Sequence, residues 1–241
     1  MEEKNERSEF DKVMADILVY SHPEYFLPSY TIGLKRGKRF SLKNIEKYWI
    51  IFTTINWFIK KISKYELYFI DFYPVQEKIS MYDALDHHIH AYLEDMETLK
   101  NKLVVFITNL KNDLKKIAVN KKEIDYAFKK LAEKVISVFK CSQQRGEHRH
   151  GNFMFVDAHT TEGKMAEILL VQENFRNTLT QHGLEKLQKM KQDSLNQGKE
   201  WWSKNASNNY KQLCELVDEV VKRNKKFLYE FLDIEPIASK E

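Results

Sequence analysis

From Leu85 to Leu114 the chain carries one apolar stripe: Leu85, Ile89, Tyr92, Leu93, Met96, Leu99, Leu103, Ile107, Leu110 and Leu114. The steps are almost all of three or four residues. That spacing returns side chains to one face of an α-helix and scatters them over both faces of a strand. Just before the stripe, Ser80 and Asp83 form a capping-box pattern, in which each side chain can accept the other's backbone N–H. The pattern predicts a helix of about 35 to 40 residues, long for a globular protein. Seven glycines and four prolines in 241 residues leave few places to turn. A many-turned β architecture is excluded on that ground, and the chain reads as all-α, with long helices and few connections.

The rest of the sequence supports that class. A first helix fits residues 8–20, with Phe10, Val13, Met14, Ile17 and Leu18 on one face, and Pro23 and Pro28 end it. Ser21 to Arg39 reads as an ordered connection. Ser41 can cap a second helix, whose stripe is Ile45, Trp49, Ile50, Phe52, Ile55, Phe58 and Ile62, with Pro74 as its outer limit. Asn120 and Glu123 open another, carried by Ile124, Phe128, Leu131, Val135 and Val138. Met165, Ile168, Leu169 and Phe175 give the next. A final helical region from Glu185 to Leu232 has a weak point near Asn205 to Asn209. The simplest parse is a single helical domain, with an N-terminal helix and connection (1–40), a core (41–178) and a C-terminal helical extension (179–241).

Several function classes find no support. The apolar run from Tyr48 to Ile59 stops at Lys60-Lys61, well short of the roughly 20 residues a membrane span needs, so it reads as a core helix. The acidic start, Met1-Glu2-Glu3-Lys4-Asn5-Glu6, is unlike a secretory leader. Cys141 and Cys214 offer neither zinc-knuckle spacing nor a disulfide framework, and a reducing cytoplasm is the natural setting. A Gly-rich phosphate loop, a nucleophile elbow and a Cys-x-x-Cys pair are all missing from the sequence. The net charge of +4 tolerates RNA without announcing it. Lysines such as Lys115, Lys116, Lys129, Lys130, Lys134, Lys222, Lys225 and Lys226 read as solvated helix faces.

The densest chemistry is the run Arg145-Gly146-Glu147-His148-Arg149-His150. Arg145 is a fixed cation, and His150 titrates near neutrality. Metal-free RNA cleavage needs both kinds of group: an imidazole to move protons at the ribose 2′-hydroxyl or the leaving oxygen, and a guanidinium for the developing phosphorane charge. Residues five apart diverge by about 140° on a continuous helix. The two side chains can therefore meet only if the helix ends between them, and Gly146 and Gly151 supply places for it to end. Within the run, His148, Arg149 and Glu147 are candidate substrate-binding residues. Their bland alternative is a set of cations at a helix C-terminus, with Glu147 paired to one of them.

Two other groupings stand out. Asp83, His87 and His90 share one helix face and could contribute to a metal site, but the chain lacks the usual partner motif. No metal and no cofactor is therefore expected. Of Trp201 and Trp202, adjacent and so about 100° apart on a helix, one should pack and the other cover a boundary.

An Arg, four residues, then a His, near the end of a core helix in an all-helical chain, resembles the HEPN superfamily of helical-bundle proteins, many of them RNases of prokaryotic toxin, defence and stress systems. The run Cys141 to His150 looks like the family's motif. The long helix from Leu85 to Leu110 is similar to that of bacterial HEPN proteins of unknown function. The resemblance covers Ser41 to Phe175. It implies Arg145 and His150 as the catalytic pair, a homodimer whose motifs meet in one cleft, RNA as substrate, and an antitoxin or regulatory protein as a further partner. Two departures stand beside it. Many active members have Asn or Asp directly after the arginine, where this chain has Gly146. Toxins controlled by nucleotidyltransferase antitoxins have a tyrosine where this chain has Asn152. The expected activity is a cytoplasmic, metal-independent endoribonuclease. The alternatives are a non-catalytic module that binds RNA or protein, and a structural dimerisation protein.

Overall fold

Ser8 accepts the Asp11 N–H at 3.1 Å and caps α1 (Glu9–Ser21). The computed structural model describes residues 8–73, 79–117, 121–139 and 159–237. After α1 come a 3₁₀ turn (Pro23–Tyr25), the short α2 (Pro28–Thr31), α3 (Leu42–Ile62), α4 (Tyr65–Asp71), α5 (Met81–Ile117), α6 (Lys121–Val138), α7 (Thr161–Val171), the short α8 (Glu173–Arg176) and α9 (Gln181–Leu232). The described residues hold no strand, and their one β feature is an isolated bridge between Arg36 and Ile234. The protein is all-α, as its sequence pattern requires.

The capping box forms as read: Ser80 Oγ accepts the Asp83 N–H at 3.0 Å, and Asp83 accepts the Ser80 N–H at 3.3 Å. The helix that follows, α5, is 37 residues long. None of its ten stripe residues is more than 3% exposed.

Elsewhere the structure corrects the reading. The second helix ends at Ile62, the last residue of its stripe, and the span before Pro74 is not all connection: after a turn at Ser63 and Lys64 the chain restarts as α4. On α3, Ile50 faces outward at 62% exposure while Tyr48 is fully buried. The exchange follows from a partner that spacing cannot reveal, since the Tyr48 hydroxyl donates to buried Asp113 at 3.0 Å. On α7 and α8, Met165, Ile168 and Phe175 are exposed, and Gly163, Lys164 and Ala166 face inward instead. The weak point near Asn205 to Asn209 is absent, and α9 is continuous there. Asn209 spends its amide on the Tyr92 hydroxyl at 2.7 Å, so it does not compete for the local backbone.

Two compact units form: Met1–Ile59 with Thr98–Val138 and Gln212–Glu241, and Lys60–Glu97 with Phe139–Lys211. In the first, Phe10 stacks on Phe52 at 5.2 Å, and Phe106 meets Phe52 and Tyr48 edge-on. Such rings bury large areas and also gain from edge-to-face geometry. Among the described residues of this unit two carboxylates are buried, each with donors. Asp113 takes Lys47 at 2.7 Å, Lys116 at 2.6 Å and Tyr48, and Asp16 takes the Tyr229 hydroxyl at 2.5 Å. Asp233, just past α9, has φ 56° and binds the connection before α3, accepting the Arg39 N–H on its side chain and the Gly37 N–H on its carbonyl. A Cβ at Gly37 would lie 1.8 Å from the Asp233 carboxylate, so any other residue there must push that carboxylate aside, and with it the bond to the Arg39 N–H.

The second unit is built round Tyr65, Phe69, Tyr92 and Trp202, whose neighbouring ring centroids lie 5.3 to 6.3 Å apart. Buried Asp95 on α5 accepts the Tyr65 hydroxyl at 2.5 Å and Lys61 at 2.8 Å. Ser203 on α9 donates to the Glu66 carbonyl of α4 at 3.0 Å.

Candidate functional site

Arg145, Glu147, His148, Arg149 and His150 all lie in 140–158, outside the described residues, as do Gly146, Gly151 and Asn152. The chain on both sides of the run is described. On the near side α6 presents Phe128, Leu131 and Val135 to the core, ends at Val138, and is followed by Phe139, 1% exposed. On the far side the chain resumes at His159.

Small residues and hydroxyls hold that far side against α9. The His159 ring stacks on Trp201, with centroids 4.3 Å apart and planes 26° apart. Its carbonyl accepts from the Ser194 hydroxyl at 3.2 Å, and the same Ser194 oxygen accepts the Gly163 N–H at 3.2 Å. Thr160 is fully buried, its methyl 2.4 Å from where a Cβ on Gly198 would stand. Glycine at 163 and 198 thus sets how closely α7 and the turn before it approach α9.

Beside His159 lies a polar cavity of about 260 Å³, lined also by Glu162, Met190, Asp193, Ser194 and Gln197. An imidazole and two carboxylates around one hollow can exchange protons or receive a hydrogen-bond donor. Below it, Lys164 is 7% exposed and bonds Asp86 at 2.6 Å. Glu167 takes Lys191 at 2.8 Å and the Ser80 hydroxyl at 3.2 Å. These pairs fix the start of α5 and the face of α7 to one another. Sequence reasoning passed over His159 and the Lys164–Asp86 pair. Each depends on a partner more than forty residues away, so no local spacing could have marked it.

Asp83, His87 and His90 do share an exposed face of α5, as read, and among the described residues no group of three or more His, Cys, Asp or Glu is placed to hold a metal ion. The histidine that turns inward is His88, 8% exposed, whose Nε2 lies 2.6 Å from the Phe72 carbonyl. Burial pushes its pKa below the usual histidine value, and the carbonyl only partly offsets this. The tryptophans divide as expected: Trp202 is 2% exposed among Phe69 and Tyr92, and Trp201 covers His159.

No family model matches this sequence, and neither a curated protein nor a solved structure matches it. The reading of the site therefore stands on the residues themselves. Among the described residues no helix is long and apolar enough to cross a membrane.

Proposed function

We propose that this chain is an HEPN-like, homodimeric, metal-independent endoribonuclease of a prokaryotic toxin, defence or stress system, acting in the cytoplasm. The observation that carries the reading is the Arg145-x4-His150 run, which begins a few residues after a helix with a buried apolar face in an all-α chain. The long α5 before it, with its unbroken buried stripe, supports the same reading.

In this scheme one His150 imidazole takes the proton of the ribose 2′-hydroxyl. The freed oxygen attacks phosphorus, and the 5′-oxygen leaves with a proton given by the partner subunit's His150. The products are a 2′,3′-cyclic phosphate and a 5′-hydroxyl. Arg145 binds the scissile phosphate and stabilises the charge gained in the pentacoordinate transition state. His148, Arg149 and Glu147 contact the substrate on either side. An antitoxin or regulatory protein would act by covering this cleft.

The decisive experiment is cleavage of total RNA and tRNA in excess chelator, wild type beside His150→Ala, with end-group analysis. Chelator-resistant cutting that leaves cyclic phosphate and disappears in the variant is expected. A folded His150→Ala protein that cuts as well as wild type would falsify the scheme. A second reading, a non-catalytic module binding RNA or protein through the same cations, draws on Gly146 and on the modest net charge of +4. It predicts binding without turnover, weakened by Arg145→Ala and by salt.

A further inference from the structure

A second cavity, of about 360 Å³, opens between α6 and the part of α9 from Arg223 to Phe227, wholly within the first unit. Two aromatic rings at its edge are held out in solvent, Tyr126 at 63% exposure and Phe227 at 45%. Three cations surround them. Lys130 Nζ sits 4.5 Å over the Tyr126 ring, while Lys134 and Arg223 share a single carboxylate, Glu219. Three positive charges against one negative leave the groove cationic. At its wall lies Asn224, only 4% exposed. Its Nδ2 donates to the Val220 carbonyl at 2.7 Å, which fixes the amide's orientation. Its Oδ1 has no donor among the described residues, and a buried acceptor of that kind calls for one.

Exposed aromatics interleaved with cations are what a flexible polyanion carrying flat rings requires, since bases stack and phosphates pair. The exposed rings decide between such a ligand and an acidic peptide: flat bases can stack on Tyr126 and Phe227, and a base N–H can also donate to Asn224 Oδ1. We infer that this groove binds single-stranded RNA. An unstacked base lies against Tyr126 and Phe227 with an N–H on Asn224 Oδ1, and the flanking phosphates lie on Lys130 and Arg223. The inference rests on the reading that RNA is the chain's ligand, and it adds a binding surface separate from the Arg145-His150 run.

The test is fluorescence anisotropy with an end-labelled single-stranded RNA of about 12 nucleotides, beside a blunt duplex of equal length. All proteins carry His150→Ala so that no RNA is consumed. Tyr126→Ala with Phe227→Ala should raise Kd for the single strand about tenfold or more. Lys130→Ala should lower the salt-dependence slope by about one. Ala127→Glu, an exposed change on α6 beside the rings, should weaken binding as the aromatic pair does, and circular dichroism melting checks that each variant folds. Wild-type affinity in both the aromatic pair and Ala127→Glu overturns the inference. So does equal loss on the duplex, or displacement of a glutamate-rich peptide by these changes with RNA binding intact. Groove-dependent binding by an enzyme that, with His150 restored, cuts nothing would remove the ribonuclease reading and keep this one. Cutting that needs His150 but ignores the groove would do the reverse.

Discussion

A Cβ added at Gly163 would stand 1.7 Å from the Tyr82 hydroxyl oxygen. That hydroxyl cannot step aside, because Tyr82 is 2% exposed and donates to the Lys191 carbonyl at 2.7 Å. Alanine is favoured over glycine in a helix by about 0.8 to 1 kcal/mol, so propensity alone predicts a gain. Gly163→Ala should instead lose about 1 to 3 kcal/mol, the cost of overpacking, read as a lower urea midpoint with the slope unchanged. Gly198→Ala, where the Thr160 methyl is the obstacle, should act in the same direction. A stabilised Gly163→Ala protein would mean that α7 and α5 do not approach this closely.

The two buried carboxylates of the first unit should respond to pH in opposite senses. Burial raises Asp113, but hydrogen bonds from Lys116, Lys47 and Tyr48 outweigh it, and the group titrates below the ordinary carboxylate range. Its stabilising contribution is therefore present above the unfolded pKa and is lost as pH falls through the lowered folded value. Asp113→Asn should cost about 1 to 3 kcal/mol at neutral pH, and the deficit should shrink in acid. Asp16 is the reverse case. Burial pushes it up more than the Tyr229 and Ile237 hydrogen bonds pull it down. The cost of ionising it is full above its raised folded pKa and vanishes below the unfolded one. Relative to wild type, Asp16→Asn should gain ground as pH rises from below the unfolded carboxylate pKa through the raised folded one. Urea midpoints across that range, plotted as differences from wild type, check both signs.

Buried His88 should titrate below the usual histidine value in an NMR pH series. A histidine depressed on folding contributes stability that is present above its unfolded pKa and is lost as pH falls through the folded one. Stability should thus decline on acidification through the ordinary histidine range and the region just below it. His88→Phe should flatten that part of the curve. An ordinary or raised pKa for His88 would mean that the ring is not buried against the Phe72 carbonyl.

Wherever one periodicity acts alone, the sequence was legible. The α5 stripe and its Ser80-Asp83 cap were read residue by residue, because a long helix buried along one face leaves no competing signal. Legibility failed where a tertiary partner overrode the pattern. Tyr48 displaced Ile50 from the core through Asp113, and Asn209 kept α9 intact through Tyr92. On α7, the buried Lys164–Asp86 pair and the Gly163 contact turned the polar face inward. The Arg145-His150 run stands out in the sequence because its residues are close together there, and it lies outside the described residues. The groove of Tyr126, Lys130 and Asn224 was not visible, because its walls are nearly a hundred residues apart in sequence.

Trp202 and Trp201 should separate packing from surface cover. Trp202 meets Phe69 and Tyr92 in the core of the second unit. Trp202→Ala should cost about 3 to 5 kcal/mol, or prevent folding; the milder Trp202→Phe keeps a ring there and should lose less. Among the described residues Trp201 stacks on His159, meets Trp202 edge-on and is partly exposed, so Trp201→Ala should cost clearly less than Trp202→Ala. Chemical denaturation of all three settles the order, and equal losses at the two positions would contradict the packing.

Arg145 and His150 should act as a unit. If both serve one transition state, removing either leaves the other little to do, so their effects should not add. His150→Ala should slow cleavage at saturating RNA by about 10² to 10⁴-fold, the usual worth of a positioned acid or base. Arg145→Ala should slow it by about 10² to 10³-fold, the scale of one lost charge-stabilising donor. The double variant should be no slower than about the slower single one. Arg145→Lys should recover little, because a lysine offers a point charge where the phosphate oxygens meet a planar fork. Single-turnover kinetics on one labelled RNA measures all four. Multiplicative losses in the double variant would mean that the two residues act independently of one another, while an Arg145→Ala protein that cleaves at the wild-type rate once RNA saturates it would place Arg145 in binding alone.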